Sequence, residues 1–188
     1  MTWYQLNHHD SQSERDIDRE MAARMPFLLD GELADSDWPD RGCWNLRAST
    51  AIGSRLTGLE LLALTSRMER ILVTRDSDFV DDAPFPPAIC PGVIVVGDVW
   101  GNQLDEFLVT IVGLLGPFRA LYQGVKVHGT GTGRIDITSP AGRSRRVTRR
   151  FQLDREGLLL LTDLQSTDGQ IHGYPGYRRS RTRTAVPA

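Results

Sequence analysis

Three apolar runs set the frame for this chain: Phe27 to Leu29, Ile71 to Val73, and Val93 to Val96. Each is too short for a helix and is unbroken by polar residues, the pattern of a strand buried on both faces. Strands of that kind occur inside parallel sheets that carry helices on both sides, so the runs predict an α/β fold.

The stretches between the runs supply helices. Residues 11–25, "SQSERDIDREMAARM", offer Ser13 as a cap, acids in the first turn, and Ile17, Met21 and Arg24 or Met25 at three-to-four spacing. "TGLELLALTSRMER" predicts a second helix with Leu59, Leu62, Ala63 and Met68 inward, and "NQLDEFLVTIVGLL" a third with Leu104, Leu108, Ile111 and Leu115 on one face. "CWNLRAS" reads as a further strand and "ADSDWPDRG" as a turn. "DDAPFPPAICPG" reads as a loop placed to cover a site, because proline forbids both helix and ladder. A helical extension over 1–24 and a parallel α/β domain over 25–118 follow. Beyond residue 118 the turn signals "SPAG" and "DREG" separate three extended runs, predicting an appended, basic, antiparallel β-meander within 119–165. Residues 166–188, rich in Arg and poor in apolar residues, read as a disordered basic tail.

Composition excludes little but places the chain. A 40% apolar and 24% charged sequence fits a soluble domain, and no apolar run approaches the roughly 18–20 residues of a membrane span. The start, "MTWYQLNHHDSQSERD", reads as neither secretory signal nor anchor, and Cys43 and Cys90 lack metal or redox spacing, so a cytoplasmic setting is expected. The net charge of −2 hides an asymmetry. Residues 1–118 hold 9 Arg and no Lys against 19 acids, whereas residues 119–188 hold 13 basic residues against 5 acids. That split suits a metal-binding front and a nucleic-acid-facing back, and it equally suits two halves that neutralise each other. Lys126 is the only lysine among 22 basic residues.

Asp30 follows the first run directly, and Asp76 and Asp78 follow the second within a few residues. In open parallel sheets ligands bind beyond the carboxyl ends of the strands, so parallel pairing would bring these acids together, with Glu60 on the preceding helix as a fourth. Clustered carboxylates repel unless a hard cation such as Mg²⁺ or Mn²⁺ neutralises them; Asp at strand ends also simply favours turns. In "GRSRRVTRRF", Arg145, Arg146, Arg149 and Arg150 are candidate RNA-backbone contacts, with Arg146, Thr148 and Arg150 on one strand face; the same arginines could instead pair with the acidic front half or a partner protein. Histidines 8, 9, 128 and 172 read as surface residues.

"FLLDGEL", "RILVTRDSDF" and "PGVIVV" together resemble the PIN-like family of VapC-related ribonucleases, over about residues 26–115, with "TRDSDF" the most specific piece. The resemblance implies a PIN-like Rossmannoid fold with a three-layer parallel sheet, an Mg²⁺ or Mn²⁺ site and cleavage of RNA phosphodiesters. By motif, Asp30 and Asp76 would be metal ligands, Asp78 a further ligand or water-orienting acid, and Thr74 a hydrogen-bonding support. It also implies the toxin role of a toxin–antitoxin pair, with an antitoxin protein and a second copy of the chain as partners. Gly58 stands where the family carries a mid-chain acid, leaving Glu60 as a displaced substitute. That departure motivates an alternative: a PIN-like module that binds RNA or a protein partner without cutting. An aspartyl-phosphate hydrolase fits less well, since the first strand ends "DGE" and the sole lysine is Lys126.

Overall fold

The computed structural model describes residues 4–6, 12–34, 43–52, 56–97, 104–130, 133–141, 146–153 and 159–163. Among the described residues nine strands form one sheet: β1 Tyr4–Leu6, β2 Phe27–Leu29, β3 Leu46–Ala48, β4 Ile71–Thr74, β5 Val93–Val96, β6 Lys126–Gly129, β7 Arg134–Pro140, β8 Arg146–Leu153 and β9 Leu159–Asp163. Their order is β1-β9-β8-β7-β6-β5-β4-β2-β3. From β3 to β6 every pairing is parallel, and from β6 through β9 to β1 every pairing is antiparallel. The protein is therefore α/β, and β6 to β9 continue the parallel sheet, where the sequence had predicted an appended unit. At the junction, Gly97 donates its N–H to the Gly129 carbonyl at 2.7 Å, and a Cβ on Gly97 would stand 2.3 Å from that same oxygen. Only glycine permits this approach.

Helices cover both faces, as the unbroken apolar runs require. Helices α1 (Gln12–Arg24) and α4 (Leu104–Leu115) share one core with Phe27, Leu29, Ile71, Val73, Ile94, Val96, Val127, Ile135, Ile137 and Phe151. Arg19 joins the two helices, reaching Asp105 at 3.1 Å and also Glu106. The inward residues predicted for α4 are buried, together with Phe107, Val109, Val112 and Leu114. Ile17 of α1 departs from expectation: it is half exposed.

A four-residue turn of helix, α2 (Gly31–Ala34), adds Leu33 to the α1/α4 core, whereas α3 (Gly58–Arg67) lies on the other face, packed on Leu28, Leu72, Val93 and Val95. The buried residues of α3 are Leu61, Leu62, Leu64 and Thr65, whereas Leu59 and Ala63, expected to face inward, are exposed. The run "LELLAL" is apolar almost all round, so periodicity alone does not select the buried stripe. Cys90 is buried and Cys43 exposed, both as free thiols. Among the described residues no helix is long and apolar enough to cross a membrane. The predicted tail, 166–188, lies outside the described residues.

Candidate active site

The chain leaves β2 for β3 on one side and then crosses back to β4 on the other. Strand order thus reverses between β2 and β4, and the crevice beyond their carboxyl ends is where open α/β sheets bind ligands. Asp30 stands at the end of β2 and Thr74 at the end of β4; the pairing of Leu29 with Val73 and the 2.9 Å bond from Asp30 N–H to the Val73 carbonyl bring them side by side.

Thr74 is fully buried, and its hydroxyl works in both directions. It donates to Asp30 Oδ2 at 2.7 Å and accepts the Asp76 backbone N–H at 3.0 Å. The other Asp30 oxygen accepts the Gly31 N–H at 2.6 Å. Asp76 caps a short 3-10 turn, Ser77–Val80, by accepting the Asp78 N–H at 2.9 Å. The fold therefore brings Asp30, Thr74 and Asp76 into one hydrogen-bonded unit and leaves Asp78 exposed two residues further on.

Glu60 is elsewhere engaged. Its carboxylate turns back to accept the N–H and the hydroxyl of Thr57, both at 2.8 Å, closing a capping box at the start of α3. The Thr57 backbone bond, then the hydroxyl bond, hold its pKa below the usual carboxylate range. The sequence expectation that Glu60 joins the acids is corrected: the T-x-x-E spacing is a helix start. Nor can position 58 carry an acid in this arrangement. A Cβ there would meet the Phe85 ring at 2.7 Å, and Phe85 is itself stacked on Phe79 with centroids 4.5 Å apart. Among the described residues no three of His, Cys, Asp and Glu are gathered so as to hold a metal ion between them. The donor set fits a cation in a looser sense. Mg²⁺ commonly takes one or two carboxylates and completes its shell with water and substrate phosphate. Asp30 and Asp76 each offer a carboxylate of that kind, and they are linked through Thr74 by the Asp76 backbone N–H and not by its side chain.

The loop after the 3-10 turn is fastened by the chain's only lysine. Lys126, on β6, reaches the Asp81 carbonyl at 2.7 Å, the Val80 carbonyl at 3.4 Å and Asp82 Oδ1 at 2.8 Å. Arg146, on β8, bonds the other Asp82 oxygen. Arg150 grips Asp136 of β7 through Nε at 2.8 Å and Nη2 at 3.0 Å. Arg146 thus pairs with the acidic front half, one of the alternatives left open by the sequence. As the alternation predicts, Arg146, Thr148 and Arg150 share one face of β8 and Arg149, opposite Ile137, takes the other; Arg145 lies outside the described residues.

Sequence reasoning missed the polar face of β6 and β7. His128 is half buried and stands opposite Asp136, beside Arg134 and Arg150. The signal was present in "RIDIT", where polar residues alternate with Ile135 and Ile137. Burial pushes the His128 pKa below its usual 6.5; Asp136 opposes the shift and Arg134 adds to it. With the folded value lowered, the unfolded chain binds the proton more readily. Stability is then complete above about pH 6.5 and falls as the pH drops through the folded value. A His128→Gln protein is expected to show a smaller loss of urea midpoint between about pH 7 and pH 5 than the natural chain; an unchanged loss would show that other groups carry it.

Family models, curated proteins and solved structures were each compared with this chain, and none matches it.

Proposed function

We propose that this protein is a divalent-cation-dependent, PIN-like ribonuclease that hydrolyses RNA phosphodiesters at the β2–β4 crevice. The observation that carries the reading is the junction of Asp30 and Asp76 through the buried Thr74 hydroxyl at the reversal of strand order. In this reading Asp30 and Asp76 would hold Mg²⁺ or Mn²⁺, which when bound supplies charge neutralisation for the phosphodiester and a more acidic water. Thr74 ties the Asp30 carboxylate to the backbone of Asp76. Asp78 takes a proton from the attacking water as the water oxygen bonds to phosphorus; the ester P–O bond breaks and the ribose oxygen leaves as a hydroxyl, protonated by solvent water.

A second reading, a module that binds RNA without cutting, is favoured by one observation: the stand-in for the family's mid-chain acid, Glu60, is committed to its helix cap. The two readings separate on metal. At a hundredfold excess of Mn²⁺ over its Kd, a site present only in the folded state adds about 2.7 kcal/mol, or roughly 5–10 °C in melting temperature for a chain of this size. That rise, lost in Asp76→Asn and accompanied by RNA cleavage, supports the nuclease. RNA binding with neither rise nor cleavage supports the second reading.

A further inference from the structure

The face of β6, β7 and β8 that continues the α3 side of the sheet is polar and partly exposed, unlike the rest of that side. Two clusters occupy it, and each sets one carboxylate between two cations. Asp136 lies between Arg150 and Arg134, the latter reaching it through Nη2 at 3.3 Å. Asp82 lies between Lys126 and Arg146. The Asp136 cluster therefore keeps one positive charge after internal pairing, whereas in the Asp82 cluster the Asp81 carboxylate also acts on Lys126. The hydroxyls of Thr138 and Thr148, 3.0 Å apart, lie between the clusters. Arg146 and Arg150 are four residues apart on one strand, about 13 Å.

We infer that this face is a seat for the phosphodiester backbone of single-stranded RNA, with Arg134 and Arg150 as its principal contacts; the inference rests on RNA being the substrate. Three features point this way. First, the bidentate grip of Asp136 uses two of the five N–H donors of Arg150 and fixes the guanidinium plane, the preorganisation that favours phosphate binding. Second, Arg134 Nε and Arg146 Nη2 have no partner among the described residues, so neither guanidinium is fully committed to internal hydrogen bonds. The single 3.3 Å ion pair of Arg134 with Asp136 leaves that side chain the easiest to re-aim onto an incoming phosphate. Third, Arg134 opens β7 next to the carboxyl end of β6, the same sheet edge that carries Asp30 and Asp76. Three strand spacings, about 14 Å, separate β7 from β4, so one RNA strand can lie on the seat and reach the crevice.

The test is anisotropy of a labelled RNA of about 12 nucleotides with the full chain in EDTA, where cation-dependent cleavage is silent, titrated between about 50 and 200 mM salt. Arg134→Gln is expected to weaken binding about three- to tenfold and to lower the salt slope by about 0.7. Asp136→Asn, which leaves both guanidinium groups uncompensated, should tighten binding and steepen the slope. A purely structural ion cluster predicts no tightening in Asp136→Asn. Absence of RNA binding by the natural chain, or unchanged affinity and slope in folded Arg134→Gln, overturns the seat. Arg134 is more than a third exposed, so its variant decides the matter even if Asp136→Asn does not fold. Asp30→Asn serves as the separator: RNA binding retained there without cleavage in either chain would reject the nuclease and keep the seat.

Discussion

Replacing Asp30 with asparagine should lower metal-dependent RNA cleavage by at least about 10²-fold while leaving the fold in place. The rate loss follows from charge. A cation neutralising the phosphodiester contributes several kcal/mol to the transition state, and each 1.4 kcal/mol is about tenfold in rate. The preserved fold follows from the hydrogen bonds. The asparagine carbonyl can keep the Gly31 N–H now bonded at 2.6 Å, and its amide can donate to the Thr74 hydroxyl in place of the bond Thr74 now makes at 2.7 Å. The hydroxyl can still accept from Asp76 N–H on its second lone pair. The net change is one hydroxyl proton without its former acceptor, about 1 kcal/mol. Melting temperature in EDTA and initial cleavage rate in Mn²⁺ measure the two quantities separately. Cleavage within a factor of two of the natural chain would remove Asp30 from the reaction and leave the crevice without its best-held carboxylate.

The parallel strands were legible in the sequence because burial on both faces demands unbroken apolar residues, and β2, β4 and β5 contain little else. The position of Asp30 and Asp76 at strand ends was legible for the same reason. The hydrogen bonds that join them depend on strand order, which no local pattern encodes. Glu60 was misjudged although its signal was local: Thr57 and Glu60 have the spacing of a capping box, and chemistry was read into a residue that serves its own helix. The continuity of the sheet was hidden because β6, "KVHG", begins with a lysine, and a buried ammonium needs acceptors from 44 to 46 residues away in the chain. The clash at position 58 depends likewise on Phe85, held by its stack on Phe79 in the same loop.

That lysine gives the largest expected change in stability. Lys126 is 2% exposed, and its three N–H donors meet three acceptors: two carbonyls and a carboxylate oxygen of residues 80–82. Burial pulls its pKa down and the nearby Cys90 and Asp81 oppose the shift; three acceptors within bonding reach favour the ammonium form. Lys126→Met keeps an unbranched apolar stem of similar length and removes only the charged head. It leaves the two carbonyls short of a donor and Asp82 with Arg146 alone. Asp82 is 44% exposed, so water recovers part of the loss, and the expected destabilisation is about 2–3 kcal/mol, below the 3–5 kcal/mol typical of a fully buried pair. In melting temperature this is about 5–10 °C. Function should follow in a particular way. The released segment is the end of the loop whose start carries Asp76 and Asp78, so cleavage should fall even at temperatures where the variant is folded. Binding of RNA in EDTA should change less, because Arg134, Arg150 and Asp136 are untouched. A variant that melts within about 1 °C of the natural chain would show that Lys126 is carried by the packing of its stem, and that the loop holds its place without it.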